Sequence, residues 1–146
     1  MMLTALVAVM AIGAVGATAA SAATGHITTD IGSCDFIGTT GPDTSPPPWD
    51  HGVSVTGLAA DPSGTCGVSG FSGDLQLNWN DAGPAEVSGD ISAPGPFGTC
   101  SYSGTLTGTF GSGAFDLGTS PQTIPGGGAF LCPSSVDVID TTTLTP

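Results

Sequence analysis

The stretch Cys100–Phe110, with the sequence CSYSGTLTGTF, alternates between two kinds of residue. Apolar or small residues occupy every second position, and hydroxyl residues lie between them: Cys100, Tyr102, Gly104, Leu106, Gly108 and Phe110 alternate with Ser101, Ser103, Thr105, Thr107 and Thr109. Because successive side chains of a β-strand point to opposite faces of the sheet, this period of two predicts a strand with its apolar face toward a core and its hydroxyl face toward solvent.

The same alternation continues toward the N-terminus. It covers Asp74–Trp79 and Ala85–Ile91, and the intervening Asn80–Pro84 (NDAGP) has the residues of a tight turn. These two segments therefore predict a β-hairpin. After the apolar N-terminus, no window shows the 3.6-residue period of an amphipathic helix.

Further strands are predicted where short apolar runs are bounded by Gly and Pro. They lie near Val53–Leu58, Thr65–Phe71, Gly113–Leu117, Ala129–Cys132 and Ser135–Leu144. Thr40–Pro48 and Pro121–Gly128 are predicted loops, because Pro cannot donate a ladder hydrogen bond and Gly weakens a strand. About eight to ten short strands with frequent turns are typical of an antiparallel β-sandwich or a small β-barrel, so the predicted fold class is all-β.

The composition excludes several kinds of partner. The 146 residues include no Lys or Arg and 12 Asp or Glu, which gives a formal net charge of −12. Nothing in such a chain can neutralise phosphate groups, so nucleic acid and anionic membrane surfaces are excluded as partners.

Residues 1–22 have the features of an export signal. Met1–Gly16 is apolar, and Ala20-Ser21-Ala22 fits the A-x-A pattern of a cleavage site. The apolar run is shorter than the roughly 20 residues that a membrane-spanning helix needs. We therefore expect a secreted protein, extracellular and with a possible cell-wall association, whose mature chain is a single β-domain over residues 23–146.

The four cysteines predict two disulfides in that oxidising environment. Their spacings of 32, 34 and 32 residues do not suit a structural zinc site. Three pairings are possible, and we favour Cys34–Cys66 with Cys100–Cys132 because the interval of 32 residues then occurs twice.

An internal repeat underlies this spacing. The pattern G-[ST]-C-x-[FVY]-x-G occurs around the first three cysteines, at 32–38, 64–70 and 98–104. Trp49 follows Cys34 by 15 residues, as Phe115 follows Cys100. This predicts two related halves, about 25–90 and 91–146, and a core position for Trp49 like that of Phe115. In each copy the Cys should share a core-facing strand face with the residue two positions later.

Candidate catalytic residues are few. His51 follows Asp50, but adjacent residues of an extended segment point apart, so Asp50 cannot orient the His51 ring. His26 lies close to the mature N-terminus and is expected in a frayed or edge strand. The carboxylates lie mostly in turns with no privileged pair. We therefore predict no enzymatic activity, and no cofactor or metal, although oxygen-rich turns leave Ca²⁺ as a weak candidate.

The predicted function is that of a non-catalytic binding module. Its ligand would be a glycan or cell-wall polymer, or a small apolar molecule if the strands enclose a cavity. Trp49 and Trp79 could stack on sugar rings, and the hydroxyl row at Thr105, Thr107 and Thr109 is a candidate binding surface. A structural or self-assembling surface protein is the alternative, and a small hydrolase is a distant third.

Overall fold

Ten antiparallel strands make up one continuous sheet in the structure, a computed structural model that describes residues 21–146. The strands are β1 (Ser21–Thr29), β2 (Gly32–Thr40), β3 (His51–Ala60), β4 (Ser72–Trp79), β5 (Pro84–Gly95), β6 (Gly98–Gly111), β7 (Ala114–Asp116), β8 (Gln122–Gly128), β9 (Ser135–Val138) and β10 (Thr143–Thr145). The all-β prediction is confirmed. Most of the predicted signal peptide lies outside the described residues, and no helix among those residues could span a membrane.

The sheet bends into a ring. Strands β1 to β6 pair in chain order, and two short strand pairs close the gap between β6 and β1. One closure is β7 with β10, which joins the end of β6 to the middle of β1. The other is β8 with β9, which joins the start of β6 to Thr29 at the end of β1. Each strand thus has a partner on both sides, so the architecture is that of a small barrel.

The interior of the ring is one hydrophobic core, to which all ten strands contribute. Strand β6 shows how the sequence produces it: Cys100, Tyr102 and Leu106 are buried, whereas Ser101, Ser103, Thr105, Thr107 and Thr109 are exposed. The alternation that predicted the strand therefore also assigned its two faces correctly. Burial of this apolar face is the main driving force for closing the ring.

The predicted hairpin is confirmed, with β4 and β5 joined by the turn at 80–83 and paired from Ser72↔Ser92 to Trp79↔Ala85. The predicted loop at 40–48 is also confirmed, since β2 ends at Thr40 and β3 begins at His51. Ser135–Leu144 is strand at both ends but is divided by a turn, in which the Thr142 N–H donates to the Ile139 carbonyl at 3.1 Å.

Two predicted strands are wrong. Thr65–Phe71 is a loop whose only ladder contact is an isolated bridge between Cys66 and Cys34, and Gly70 at φ +73° turns the chain out of an extended conformation. Ala129–Cys132 is also a loop, with Leu131 in the left-handed region at φ +69°.

The prediction of a loop at 121–128 is also wrong, because Gln122–Gly128 forms strand β8. Its Gly residues permit pairing with β6: a Cβ on Gly126 would overlap the Ser101 carbonyl oxygen and the Tyr102 ring. Pro125 is tolerated because β6 pairs only with the residues after it. The glycines therefore mark close approach of two strands rather than a loop.

Both disulfides have the favoured pairing, Cys34–Cys66 and Cys100–Cys132. Cys34 and Cys100 are each the third residue of a strand, and each is bonded to a cysteine in a loop. Two disulfides indicate an oxidising, extracellular environment.

The sequence repeat is not reproduced in every position. Cys34 with Phe36, and Cys100 with Tyr102, face the core as predicted, but Val68, two residues after Cys66, is 37% exposed. Trp49 is half-buried in the loop after β2, outside the core that its counterpart Phe115 occupies. The predicted boundary between the two halves falls inside β5.

Candidate ligand-binding site

One end of the barrel carries the exposed apolar residues, and we call it the mouth. It is formed by the β1–β2 turn, the loop at 61–71, the β5–β6 turn and the loop at 129–134. The large hydrophobic side chains that are exposed in residues 21–146 all lie in these four segments: Ile31, Val68, Phe97, Phe130 and Leu131. Both disulfides also lie at this end, and they cross-link the loops that carry Val68, Phe130 and Leu131 to strands β2 and β6.

A cavity of about 110 Å³ opens at the mouth. Its wall is mainly apolar and includes Ile27, Ile31, Val68, Phe71, Ile91 and Val136. A smaller void of about 50 Å³ lies deeper in the barrel and shares Ile27, Phe71, Ile91 and Tyr102 with the first. An apolar protein cavity of roughly 150 Å³ stays dry and binds benzene, so the mouth cavity suits an apolar group no larger than a small ring or a short alkyl chain.

The loop at 61–71 forms one side of this cavity and is held at several points. The Cys34–Cys66 disulfide fixes its centre. On each side of that bond the backbone pairs with β2, because Asp35 N–H donates to the Thr65 carbonyl at 2.8 Å and Gly67 N–H donates to the Ser33 carbonyl at 3.0 Å. The cavity wall at Val68 is therefore attached to the barrel by covalent and backbone bonds.

The Asp35 side chain adds a polar anchor on the outer face of the barrel. Its Oδ2 accepts a hydrogen bond from the Thr65 N–H at 2.8 Å, and its Oδ1 lies 2.6 Å from His26 Nδ1. The Thr65 backbone bond, followed by the His26 bond, lowers the pKa of Asp35. His26 Nε2 in turn lies 2.9 Å from Thr28 Oγ1. His26 is thus held between partners on a strand with two neighbours, and its predicted place in a frayed or edge strand is wrong.

Phe97 and Phe130 form an aromatic pair on the rim. Their ring centroids are 5.7 Å apart, and the two residues are 65% and 74% exposed. Tilted packing of two aromatic rings stabilises the pair, but most of both rings still faces water. Neither ring lines the cavity. An exposed apolar patch of this kind is a common feature of ligand-binding or protein-binding sites.

The opposite end of the barrel is closed by stacked rings. Trp79 stacks on His51 at 5.1 Å and on Phe110 at 4.4 Å, each time with an interplanar angle of 21°. These side chains share the strand face of Leu77, which is fully buried. Residues from three strands thus fill the end of the barrel that lies away from the mouth.

His51 is clamped between two carboxylates at this closed end. Its Nδ1 lies 2.8 Å from Asp43 Oδ2 and its Nε2 lies 2.8 Å from Asp81 Oδ1. Both bonds raise the pKa of His51, and both ring nitrogens can donate only in the imidazolium form. The Gly52 N–H, followed by His51, lowers the pKa of Asp43 from 3.8 to about 2. The clamp ties the loop after β2 to the β4–β5 turn.

Comparison with known protein families, with curated proteins and with solved structures gave no match.

The structure separates the residues that the sequence singled out as ligand-binding. Trp79 stacks with two rings inside the barrel, whereas Thr105, Thr107 and Thr109 are exposed on its outer face. Thr107 is engaged by Gln122, whose Oε1 accepts from the Thr107 N–H at 2.8 Å. Trp49 is half-buried in a loop at the closed end. These residues do not form one continuous surface.

The exposed apolar residues Ile31, Phe97, Phe130 and Leu131 were not among the site residues predicted from the sequence. A usable signal was present, because Phe97 stands between Pro96 and Gly98, and Ile31 between Asp30 and Gly32. Turns between strands lie at the protein surface, so a large apolar residue inside a turn motif is a candidate for an exposed binding residue.

No group of three or more His, Cys, Asp or Glu side chains within residues 21–146 could hold a metal ion. The two histidines are bonded to different carboxylates, His26 to Asp35 and His51 to Asp43 and Asp81. His51 is oriented by aspartates that lie eight residues before it and 30 residues after it, not by the adjacent Asp50.

Proposed function

We propose that the protein is a secreted, non-catalytic binding module whose mouth binds a small apolar ligand, or the apolar end of a larger one. The observation that supports this most is the cavity of about 110 Å³ that opens among exposed apolar side chains. Binding would cover surface that otherwise faces water, and removal of apolar surface from water drives association.

The expected affinity is modest. An aromatic group buries roughly 150 Å², and at about 25 cal/mol per Å² that contributes about 4 kcal/mol. The cavity wall that the ligand covers adds to this gain, and the loss of translational and rotational freedom on association offsets that addition, so we expect a Kd on the order of 1 mM. Larger natural ligands could add contacts with the Phe97–Phe130 pair and bind more tightly.

The glycan alternative has less structural support. A sugar-binding aromatic residue presents a free ring face, whereas the Trp79 ring already stacks with His51 and Phe110. Self-assembly through strand edges also has less support, because each of the ten described strands pairs on both sides. The net charge of −12 further opposes association of identical chains.

Titration of the isotopically labelled, oxidised protein with benzyl alcohol, followed by NMR, tests the proposal. We expect saturable shifts at Ile91, Tyr102 and Val136, with a Kd of about 1 mM. The variant Ala93→Phe fills the cavity and should abolish these shifts. Ala82→Phe, in the exposed turn at the closed end, is the matched control and should bind as the unmodified protein does.

Two outcomes would count against the mouth as the binding site. One is the absence of saturable shifts at concentrations about tenfold above the expected Kd. The other is saturable binding that persists in Ala93→Phe when that variant keeps the native spectrum away from the mouth.

A further inference from the structure

The loop at 41–50 and the β4–β5 turn meet at the closed end, with one side chain between them that can carry a positive charge. The chain has no Lys or Arg, and its second histidine belongs to a separate cluster on β1 and β2. Acidic side chains come from both segments: Asp43 and Asp50 from the loop, and Asp81 from the turn. The protonation state of His51 therefore decides whether these carboxylates have a counter-charge.

Both nitrogens of the His51 ring face a carboxylate oxygen. Nδ1 lies 2.8 Å from Asp43 Oδ2, and Nε2 lies 2.8 Å from Asp81 Oδ1. An ionised carboxylate can only accept a hydrogen bond, and a neutral imidazole has one N–H, so both contacts are hydrogen bonds only when the ring carries two protons. Loss of one proton places a nitrogen lone pair against a carboxylate oxygen, and that contact must open.

The two carboxylates are not held equally well. Asp43 Oδ1 also accepts hydrogen bonds from the Gly52 N–H at 3.1 Å and from the Ser45 N–H at 2.9 Å. Within residues 21–146, the Asp81 carboxylate has a hydrogen bond to His51 alone, and its side chain is 79% exposed. The contact with Asp81 is therefore the one that opens, while Asp43 stays bound to β3.

Few other bonds join the loop to the turn. The Asp50 N–H donates to Asn80 Oδ1 at 3.0 Å, and the Asp81 N–H donates to Asp50 Oδ2 at 3.0 Å. By contrast, the loop is attached to β3 by a backbone bond without a charged group, in which the Thr44 N–H donates to the Gly52 carbonyl at 2.8 Å. The contact between loop and turn is thus the part that responds to the charge of the ring.

The remaining neighbours of the His51 ring favour its charged form or do not reach it. Trp79 on β4 stacks on the ring at 5.1 Å, and Phe110 on β6 stacks on the far side of Trp79. A cation over an aromatic face is attracted to it. Glu86 on β5 pairs with Asn78 and so points to the opposite face of the sheet. The titratable groups that face the ring are therefore those of the loop and the turn.

We propose that His51 is a pH-sensitive latch: its doubly protonated ring holds the loop at 41–50 against the β4–β5 turn, and loss of one proton releases the turn while the barrel stays folded. The closed end is then tightly held in neutral and mildly acidic solution and loosened in alkaline solution. This inference concerns the end of the barrel away from the mouth, so it does not depend on the proposed binding function.

Amide hydrogen exchange of the oxidised protein, measured by NMR at low temperature from pH 6 to pH 8.5, tests the latch. The Asp50 and Asp81 amides report on the contact between loop and turn, and the Thr44 amide reports on the loop itself. Exposed ion pairs are weak, so we expect the protection factors of the two reporters to fall about three- to tenfold. That of Thr44 should stay constant. The fall should share its midpoint with the NMR titration of the His51 ring.

Three variants identify the groups responsible. His51→Gln has no charge at any pH, so its Asp50 and Asp81 amides should be poorly protected throughout the range, with normal protection at Thr44. Asp81→Asn removes one of the two carboxylates that favour the charged ring, so the midpoint of the His51 titration should move to lower pH. His26→Gln is the matched control, because His26 contacts neither the loop nor the turn, and it should keep the full pH dependence.

Several results would overturn the latch. One is constant protection of both reporter amides over the range in which the His51 ring loses its proton. Another is an equal loss of protection at Thr44, since the whole loop would then open rather than its contact with the turn. An unchanged His51 midpoint in Asp81→Asn would show that Asp81 does not help to hold the proton.

Discussion

Removal of the Cys34–Cys66 disulfide should destabilise the barrel by an amount that follows from the length of the loop it closes. The two cysteines are 32 residues apart, and in the chain-entropy description a cross-link of that span contributes about 3.7 kcal/mol. Because Cys34 is only 2% exposed, replacement by Ala also removes some packing. We therefore expect Cys34→Ala with Cys66→Ala to lower the free energy of unfolding by about 4 kcal/mol.

Urea and thermal unfolding measure this effect. For a domain of this size, an entropy of unfolding of about 0.26 kcal/mol/K converts 4 kcal/mol into a decrease in Tm of about 15 °C. The Cys100–Cys132 disulfide spans the same 32 residues, so its removal is the internal comparison and should cost a similar amount. A loss below about 1 kcal/mol for both pairs would refute the conclusion that the disulfides stabilise this fold by restricting its unfolded chain.

Stability should be greatest between about pH 4 and 6.5 and lower at pH 8. Asp43 has a lowered pKa of about 2 in the folded protein, so its contribution to stability is fully present above pH 4 and is lost as the pH falls toward 2. His51 has a raised pKa, so its contribution is fully present below pH 6.5 and is lost as the pH rises through the folded pKa. A higher urea midpoint at pH 8 than at pH 5 would contradict this. Gly25→Ala should cost about 1–3 kcal/mol, because the new Cβ would overlap the Phe36 ring. In Gly111→Ala the added Cβ has no other atom within 4 Å, so this variant should lower the free energy of unfolding by less than about 1 kcal/mol in the same denaturation assay.

The alternation of apolar and polar residues predicted most of the sheet, because every second side chain of a strand with one buried face points into the core. Strand β6 and the β4–β5 hairpin needed no other information. Glycine-rich segments were harder, because glycine permits both a turn and the close approach of two strands. Gly126–Gly128 pairs with β6, whereas Gly70 turns the chain out of a strand, and only the three-dimensional partner distinguishes the two.

The site was less predictable than the fold because both ends of the barrel are assembled from separate turns. The His51 clamp joins Asp43 and Asp81, which lie on opposite sides of it in the sequence. The mouth draws its apolar residues from four connections between strands. No local sequence pattern indicates that these segments are neighbours in space. The alternation of apolar and polar residues also does not predict that the pairs β7–β10 and β8–β9 close the ring.

A crystal structure determined under xenon pressure tests the apolar mouth most directly, because xenon binds dry apolar cavities in proteins. Our account predicts a xenon atom in the cavity between Ile27, Phe71 and Ile91. The same experiment on Ala93→Phe should leave that position without xenon. Ordered water molecules in the cavity, with no xenon at any pressure tested, would contradict the central claim that the mouth is an apolar binding site.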